Sequence, residues 1–421
     1  MSFVSLGLSP ALVSAATDQA FTEPTPIQSA VIPFILQGRD VLATAQTGSG
    51  KTAAYALPLL QTWVNAHQAD RGHGGALILV PTRELAAQVG DTLRLLARPL
   101  PFGLKVVVAF GGVSINPQMM ALRGGADIIV ATPGRLLDLI DHGALSLGGV
   151  DVLVLDEADR LLDLGFSQEM QRLVGMLPEQ RQSLFFSATF APAVQALART
   201  LLREPQRVDI PIEPESAPDI EQRAIVVDEA GRTPLLRHLI DDQKWAQVMV
   251  FVATQYATEH VASKLKGKGI DAAAFHGQLS QGRRTEVLAD FKARRLQVLV
   301  ATDVASRGID VAQLPAVVNY DLPRSPNDYT HRIGRTGRAG EKGVAISLVT
   351  PQCEAHFRVI EKRQGLRVTR EEIPGFEPKA LMDDAPVPQP GAENGGIKGK
   401  RKSKKDKLRE AAAPGSPKSD K

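Results

Sequence analysis

The stretch that most narrows what this chain can fold into is Ala45–Thr52, AQTGSGKT. It follows a short apolar run, Asp40-Val41-Leu42-Ala43, that reads as a buried strand. It precedes Ala53-Ala54-Tyr55-Ala56-Leu57-Pro58, which opens with good helix formers. A glycine-rich turn between strand and helix lets backbone N–H groups converge on polyphosphate oxygens. From such a turn Lys51 reaches the β- and γ-phosphates and the Thr52 hydroxyl can hold Mg²⁺. The general pattern has Gly at the first position, where this chain has Ala45, so the loop is a variant. A tight turn that happens to hold Gly48, Gly50 and a surface lysine is the plainer alternative.

A strand–loop–helix start of this kind calls for further strands, and the chain supplies them. Leu77–Val80 is a continuous apolar run ending in Pro81-Thr82-Arg83-Glu84-Leu85; Lys105–Phe110 closes on Gly111-Gly112; Ile128–Ala131 runs into Thr132-Pro133-Gly134-Arg135. In open parallel sheets the ligand crevice lies beyond the carboxyl ends of the strands. Three turns bearing hydroxyls, arginine or paired glycines are therefore expected at the phosphate loop's own edge, as a track for a phosphate backbone. Val152–Leu155 delivers Asp156-Glu157-Ala158-Asp159. Acids at the end of an apolar strand are costly unless they bind a metal or pair with other groups. Asp156 has the position of a Mg²⁺-holding carboxylate, and Glu157 is placed to orient and deprotonate an attacking water. Ser183–Phe186 then ends in Ser187-Ala188-Thr189.

Ahead of all this, Phe3–Glu23 has helical periodicity, with Ser9-Pro10 as cap and first turn. Phe21-Thr22-Glu23-Pro24-Thr25-Pro26-Ile27-Gln28 sets the backbone before a second helix, where the Gln28 amide offers the donor and acceptor that reading an adenine edge needs.

Pro211–Pro218, PIEPESAP, reads as a linker. Strand–helix alternation resumes after it, in Gln222–Val227, Val248–Val252, Asp271–Phe275, Gln297–Ala301, Ala316–Tyr320 and Val344–Val349, without a second phosphate loop. Strand ends here carry Thr302-Asp303 and Ser306-Arg307-Gly308-Ile309-Asp310. A basic segment follows, His331-Arg332-Ile333-Gly334-Arg335-Thr336-Gly337-Arg338. Its arginines, three residues apart, share one face if the segment is helical. The expected domains are thus 1–210, 219–373 with the linker 211–218 between them, and a disordered tail from Pro374.

Charge divides along the same line. Residues 398–421 hold ten Lys/Arg against three Asp/Glu, and the rest of the chain 39 against 43. A basic tail on a mildly acidic body points to a polyanionic partner, with solubilisation as the alternative. The single cysteine, Cys353, excludes an internal disulfide or a cysteine-based metal cluster and suits a reducing cytoplasm. No window approaches the ~18–20 apolar residues of a membrane span, and Met1–Pro10 lacks the pattern of a secretory signal.

Taken in order, these segments resemble the DEAD-box RNA helicases of superfamily 2, most closely the bacterial RhlE-like group, from about Phe3 to Arg370. The resemblance implies two tandem RecA-like α/β domains, each a mostly parallel sheet flanked by helices, plus a disordered basic tail. It implies that Phe3, Phe21 and Gln28 hold the adenine and that Ala45, Gln46, Thr47, Gly48, Ser49, Gly50, Lys51 and Thr52 hold the phosphates of ATP, Ala45 being usual in this family. Asp310 would touch the ribose, Thr52 and Asp156 would hold Mg²⁺ largely through water, and Arg335 and Arg338 would reach the γ-phosphate. Lys51, Asp156, Glu157, Arg335 and Arg338 would form the catalytic set. Pro81, Thr82, Arg83, Gly111, Gly112, Thr132, Pro133, Gly134 and Arg135 would line the RNA in the first domain. Gln281, Arg284, Thr302, Asp303 and Arg307 would do so in the second. Asp159, Ser187, Thr189, His331 and Arg332 would couple the two. The implied activity is RNA-stimulated ATP hydrolysis driving local, non-processive unwinding or RNP remodelling, in settings such as ribosome assembly. A DNA helicase or translocase and a non-catalytic RNA clamp stay open as alternatives.

Overall fold

The computed structural model describes residues 2–46, 48–68, 75–210, 219–306, 309, 311, 313–337 and 342–378. Short runs of Val, Ile, Leu and Ala, too apolar to alternate, form strands buried on both faces. In the first half these are β1 (Val41–Thr44), β2 (Gly75–Leu79), β3 (Val106–Ala109), β4 (Ile128–Ala131), β5 (Val150–Leu155), β6 (Gln182–Ser187) and β7 (Gln206–Asp209). In the second they are β8 (Ile220–Val226), β9 (Val248–Phe251), β10 (Ala272–Phe275), β11 (Val298–Ala301), β12 (Ala316–Asn319), β13 (Gly343–Val349) and β14 (Arg370–Glu371).

Each half is one seven-stranded sheet, ordered β3-β4-β2-β5-β6-β1-β7 and β10-β11-β9-β12-β13-β8-β14, and every pairing between these strands is parallel. The second order repeats the first strand for strand. The two tandem parallel-sheet domains expected from the sequence are therefore present. Successive residues of a strand feed opposite faces: Val152 and Val154 join one apolar layer, Leu153 and Leu155 the other.

Strand order sorts the loops. β5, β6 and β1 are neighbours, so the turns after them, at Asp156, Ser187 and Ala45, lie side by side. β3, β4 and β2 are neighbours on the other side, which gathers the turns at Gly111, Thr132 and Pro81. One edge of one sheet thus carries two groups of loops.

Several local expectations differ from what is observed. β7 and β14 have no counterpart in the sequence reading, because both are short and polar and are recruited by the edges of β1 and β8. Ser9 stands at the N-cap of the helix Pro10–Asp18, yet its hydroxyl makes no capping bond; its N–H is held instead by Gln61 Oε1 at 2.7 Å. The described chain also runs past Pro374, with Ile373 and Phe376 packed on the second half's core. Among the described residues no helix is long and apolar enough to cross a membrane.

Candidate functional site

β1 ends in the loop Ala45–Gly50, and the helix Lys51–Gln68 starts directly behind it. Gly48 and Gly50 have φ of 83° and 90°, a conformation that glycine adopts without steric cost. Gly50 is required for a second reason: a Cβ there would stand 2.5 Å from Gln28 Nε2. That crowding is a working contact. Gln28 Nε2 donates to Gly50 O at 3.1 Å and Thr25 Oγ1 to Ser49 O at 2.9 Å, while the Thr25 N–H donates to Gln28 Oε1. The Gln28 amide is therefore joined to the phosphate loop, with one donor and one lone pair left over. Phe3 is buried in the first half's core and Phe21 packs half-buried against it. Lys51 Nζ donates to Ala45 O at 2.7 Å and Gln46 O at 3.2 Å. Burial holds its pKa down, against the pull of Asp156, Glu157 and Asp159. Thr47 lies outside the described residues.

Asp156 ends β5, buried. Its Oδ2 accepts from the Tyr55 hydroxyl at 3.0 Å; its Oδ1 is buried with no hydrogen-bond partner. Burial and the neighbouring Glu157 push its pKa up to about 6. Glu157 takes a left-handed backbone, φ 52° and ψ 51°, at the start of the helix Ala158–Asp163. Such a conformation in a non-glycine residue costs about 1–3 kcal/mol. One oxygen of that side chain, Oε2, accepts from Arg160 Nη1 at 2.9 Å. Asp159 binds the turn after β6: its Oδ2 accepts from both Thr189 N (3.0 Å) and Thr189 Oγ1 (3.1 Å), and Ser187 Oγ closes the turn on Thr189 O.

The turns after β2, β3 and β4 interlock. The Arg83 guanidinium lies directly on Gly112, where a Cβ would come within 2.1 Å of it. Thr82 caps the helix Arg83–Ala97 by accepting from Leu85 N. Arg135, buried, gives Nη2 to Val113 O at 2.8 Å, while its Nη1 makes no hydrogen bond. Thr132 and Pro133 open the helix Pro133–Asp141, with Gly134 in its first turn. Gln118 is a residue the sequence reading missed: its amide brackets Phe110, accepting from N and donating to O, and so fixes the strand end before Gly111-Gly112.

In the second half Arg332 is a hub. It bonds both Asp303 oxygens (2.6 and 2.7 Å), Asn319 Oδ1 and Asp321 O, and stacks on Phe251. The helix that would put Arg332 and Arg335 on one face does not reach Arg335. The helix Pro326–Ile333 stops at Gly334, and Thr336 instead bridges to Leu314. Arg335 therefore leaves from a turn, with Nη1 donating to Ile309 O at 2.6 Å. Thr302 is buried at the end of β11. Arg307, Asp310 and Arg338 lie outside the described residues.

Among the described residues the halves meet at Arg284 and at Arg160. Arg284 Nε donates to Glu84 Oε1 at 2.7 Å, the side chains only 5% and 9% exposed, while its Nη1 holds His276 O. Gln281, on the same helix, keeps a buried Oε1 without a partner. Elsewhere Arg160 shares a small cavity with Ser306, His331 and Arg335. Glu84 could have been found as the one acid in the turn after β2, but its partner is 200 residues away.

Burial and Arg160 hold the His331 imidazole down to about 4, with Arg335 adding to the effect and Asp159 and Asp328 opposing it. The unfolded chain takes up this proton near pH 6.5 and the folded chain only near 4, so this group costs stability as pH falls between them. Replacing His331 with Gln is expected to remove that loss. In melting curves at several pH values, Tm of the variant minus Tm of the parent should rise as pH is lowered from 6.5 to 4. A constant difference would mean that folding does not lower the His331 pKa.

Two RecA-like sheets, one ending in a phosphate loop and buried acids and the other in arginines, define the class of a phosphate-loop NTPase. The chain belongs to the DEAD-box helicase family, matching the DEAD/DEAH box helicase description over residues 25–197 and the helicase conserved C-terminal domain over 231–340. It is 39% identical to the DEAD-box ATP-dependent RNA helicase CshA of Bacillus cereus over 375 residues, 89% of this chain and 70% of that one. Among solved structures it resembles S. cerevisiae Dbp5 bound to RNA and ADP BeF3, with 33% identity and a TM-score of 0.76 over 88% of this chain and 95% of that one. It is similar also to Mss116p bound to ssRNA and AMP-PNP, with 28% identity and a TM-score of 0.76 over 88% and 78%.

Proposed function

We propose that the chain is an ATP-dependent RNA helicase that couples ATP binding and hydrolysis to closing of its two halves on RNA and to local opening of short duplexes. The observation that carries this reading is the division of the site. Lys51, Asp156 and Glu157 belong to the first sheet and His331, Arg332 and Arg335 to the second, and the halves meet at Arg160 and at Glu84–Arg284. A site completed only by closure makes turnover depend on whatever bridges the halves.

In this reading Ala45–Thr52 cradles the phosphates, with Phe3, Phe21 and Gln28 on the adenine side and Asp310 at the ribose. Glu157 takes the proton of the attacking water, and Arg335 and Arg338 face the γ-phosphate. Thr52 and Asp156 would hold Mg²⁺, largely through water; the buried, unpartnered Asp156 Oδ1 fits a cation's water shell. Bound there, the ion would neutralise charge on the phosphates. Asp159, Ser187, Thr189, His331 and Arg332 relay closure. Pro81–Arg83, Gly111-Gly112, Thr132–Arg135, Gln281, Arg284, Thr302, Asp303 and Arg307 follow the RNA strand through its phosphates and 2′-hydroxyls, which carry little sequence information. Domain bounds of 1–210 and 219–373, membership of the RhlE-like group, a cytoplasmic setting and a role in ribosome assembly belong to the same reading. The lone cysteine and the basic tail support the setting and the RNA partner.

ATP turnover in the presence of RNA or DNA of equal sequence tests the proposal. Large stimulation by RNA alone is expected, and equal stimulation by DNA would replace the reading with a DNA translocase. Each base-pair step costs about 1.4 kcal/mol to unstack, so clamping one strand offsets a few steps and not dozens.

The run Lys398–Arg409, outside the described residues, would add affinity through counterion release, with a slope of about −0.7 per phosphate on single strands. Deleting residues 379–421 is expected to flatten the salt dependence of RNA binding while leaving basal ATPase intact. An unchanged slope would leave the tail only a solubilising role.

A further inference from the structure

One turn beyond the phosphate loop, the helix Lys51–Gln68 carries a completely buried tyrosine, Tyr55. Its ring lies 5.4 Å from that of Phe186 on β6. Phenylalanine would fill this place without burying a polar atom, so the hydroxyl must be accounted for by its bonds. It donates to Asp156 Oδ2 at 3.0 Å.

A phenol has a single proton. With that proton given to the carboxylate, the polarity of the bond is fixed: Tyr55 donates and Asp156 accepts. Asp156, pinned by Oδ2, keeps Oδ1 uncommitted. Lys51 does not compete for that oxygen, since its ammonium is held by the carbonyls of Ala45 and Gln46.

We propose that Tyr55 is a positioning residue for the divalent cation of the nucleotide site: by holding Oδ2 it fixes the Asp156 carboxylate and leaves Oδ1 to the metal or its bound water. This rests on the reading of Thr52 and Asp156 as the Mg²⁺-holding pair. Partners that orient metal-binding groups in this way typically contribute 10–100-fold in metal affinity.

The test is Tyr55→Phe in the full chain, which removes one oxygen and keeps the ring. Binding of a fluorescent ADP is followed through a Mg²⁺ titration and in EDTA, and Mn²⁺ binding to the ADP complex is followed by electron paramagnetic resonance. The Mg²⁺ concentration giving half of the metal-dependent gain in ADP affinity should rise about 10-fold or more. Mn²⁺ should bind correspondingly more weakly, while ADP affinity in EDTA and the melting temperature of the metal-free chain stay close to those of the parent. Superimposable metal titrations, or an equal loss of ADP affinity in EDTA, would reduce Tyr55 to a packing residue. A parent whose ADP affinity ignores Mg²⁺ altogether would sink the reading of Thr52 and Asp156 itself, so the two failures are told apart.

Discussion

Arg335→Ala is expected to lower RNA-stimulated ATP turnover by about 10³–10⁵, the range over which an arginine facing a transferring phosphoryl group acts in related NTPases. Its guanidinium is buried beside the cleft and spans from Ile309 O to Ser306 O, the latter at 3.4 Å. Losing these bonds also loosens the segment after Asp303, since hydrogen bonds to a charged group are each worth about 1.5–3 kcal/mol. Two controls separate the effects. Nucleotide-free RNA affinity and melting temperature report the structural part, and Arg335→Lys, which keeps charge but loses the planar fork, should recover only a fraction of the rate. A variant that folds, binds RNA and turns over ATP within a few-fold of the parent would remove Arg335 from the catalytic set.

The second large effect is expected at Glu157. Replacement by Gln keeps the shape and an acceptor for Arg160 Nη1, but removes the basic oxygen. General-base loss costs about 10²–10⁴ in rate. Hydrolysis in a single turnover should fall by that factor while ATP-dependent RNA binding persists, turning the enzyme into a stalled clamp. Retained hydrolysis would move the base elsewhere; loss of ATP-dependent RNA binding as well would assign Glu157 to closure. Glu157 is buried and paired with Arg160, which argues against a purely solvated role.

How much was legible beforehand varies with the residue. The loop Ala45–Thr52 and the acids after β5 announced themselves because their chemistry needs particular residues at adjacent positions. Twelve of the fourteen strands announced themselves, ten as apolar runs bounded by turns and β1 and β8 from shorter or more polar stretches. The edge strands β7 and β14 did not, since their pairing is set by the neighbour and not by their own composition. Gln28 was noticed for its amide, but its bond to Gly50 O depends on where two separate helices start. Arg332 looked like one tooth of a basic stripe and is in fact held by Asp303, Asn319 and Asp321. Gln118 and Tyr55 carried no signal, because a glutamine bracketing a strand end and a tyrosine under a carboxylate look, in one dimension, like ordinary helix residues.

By itself the sequence determined the two parallel sheets and the loops that bear the chemistry, since apolar runs force burial and a phosphate loop must join a strand to a helix. Only the tertiary structure decided which loops are neighbours, which carboxylate oxygen is left without a partner, and that Glu84 meets Arg284 across the cleft. Strand order and interdomain contact are set by packing between segments up to 200 residues apart, and no local pattern encodes a distance of that kind.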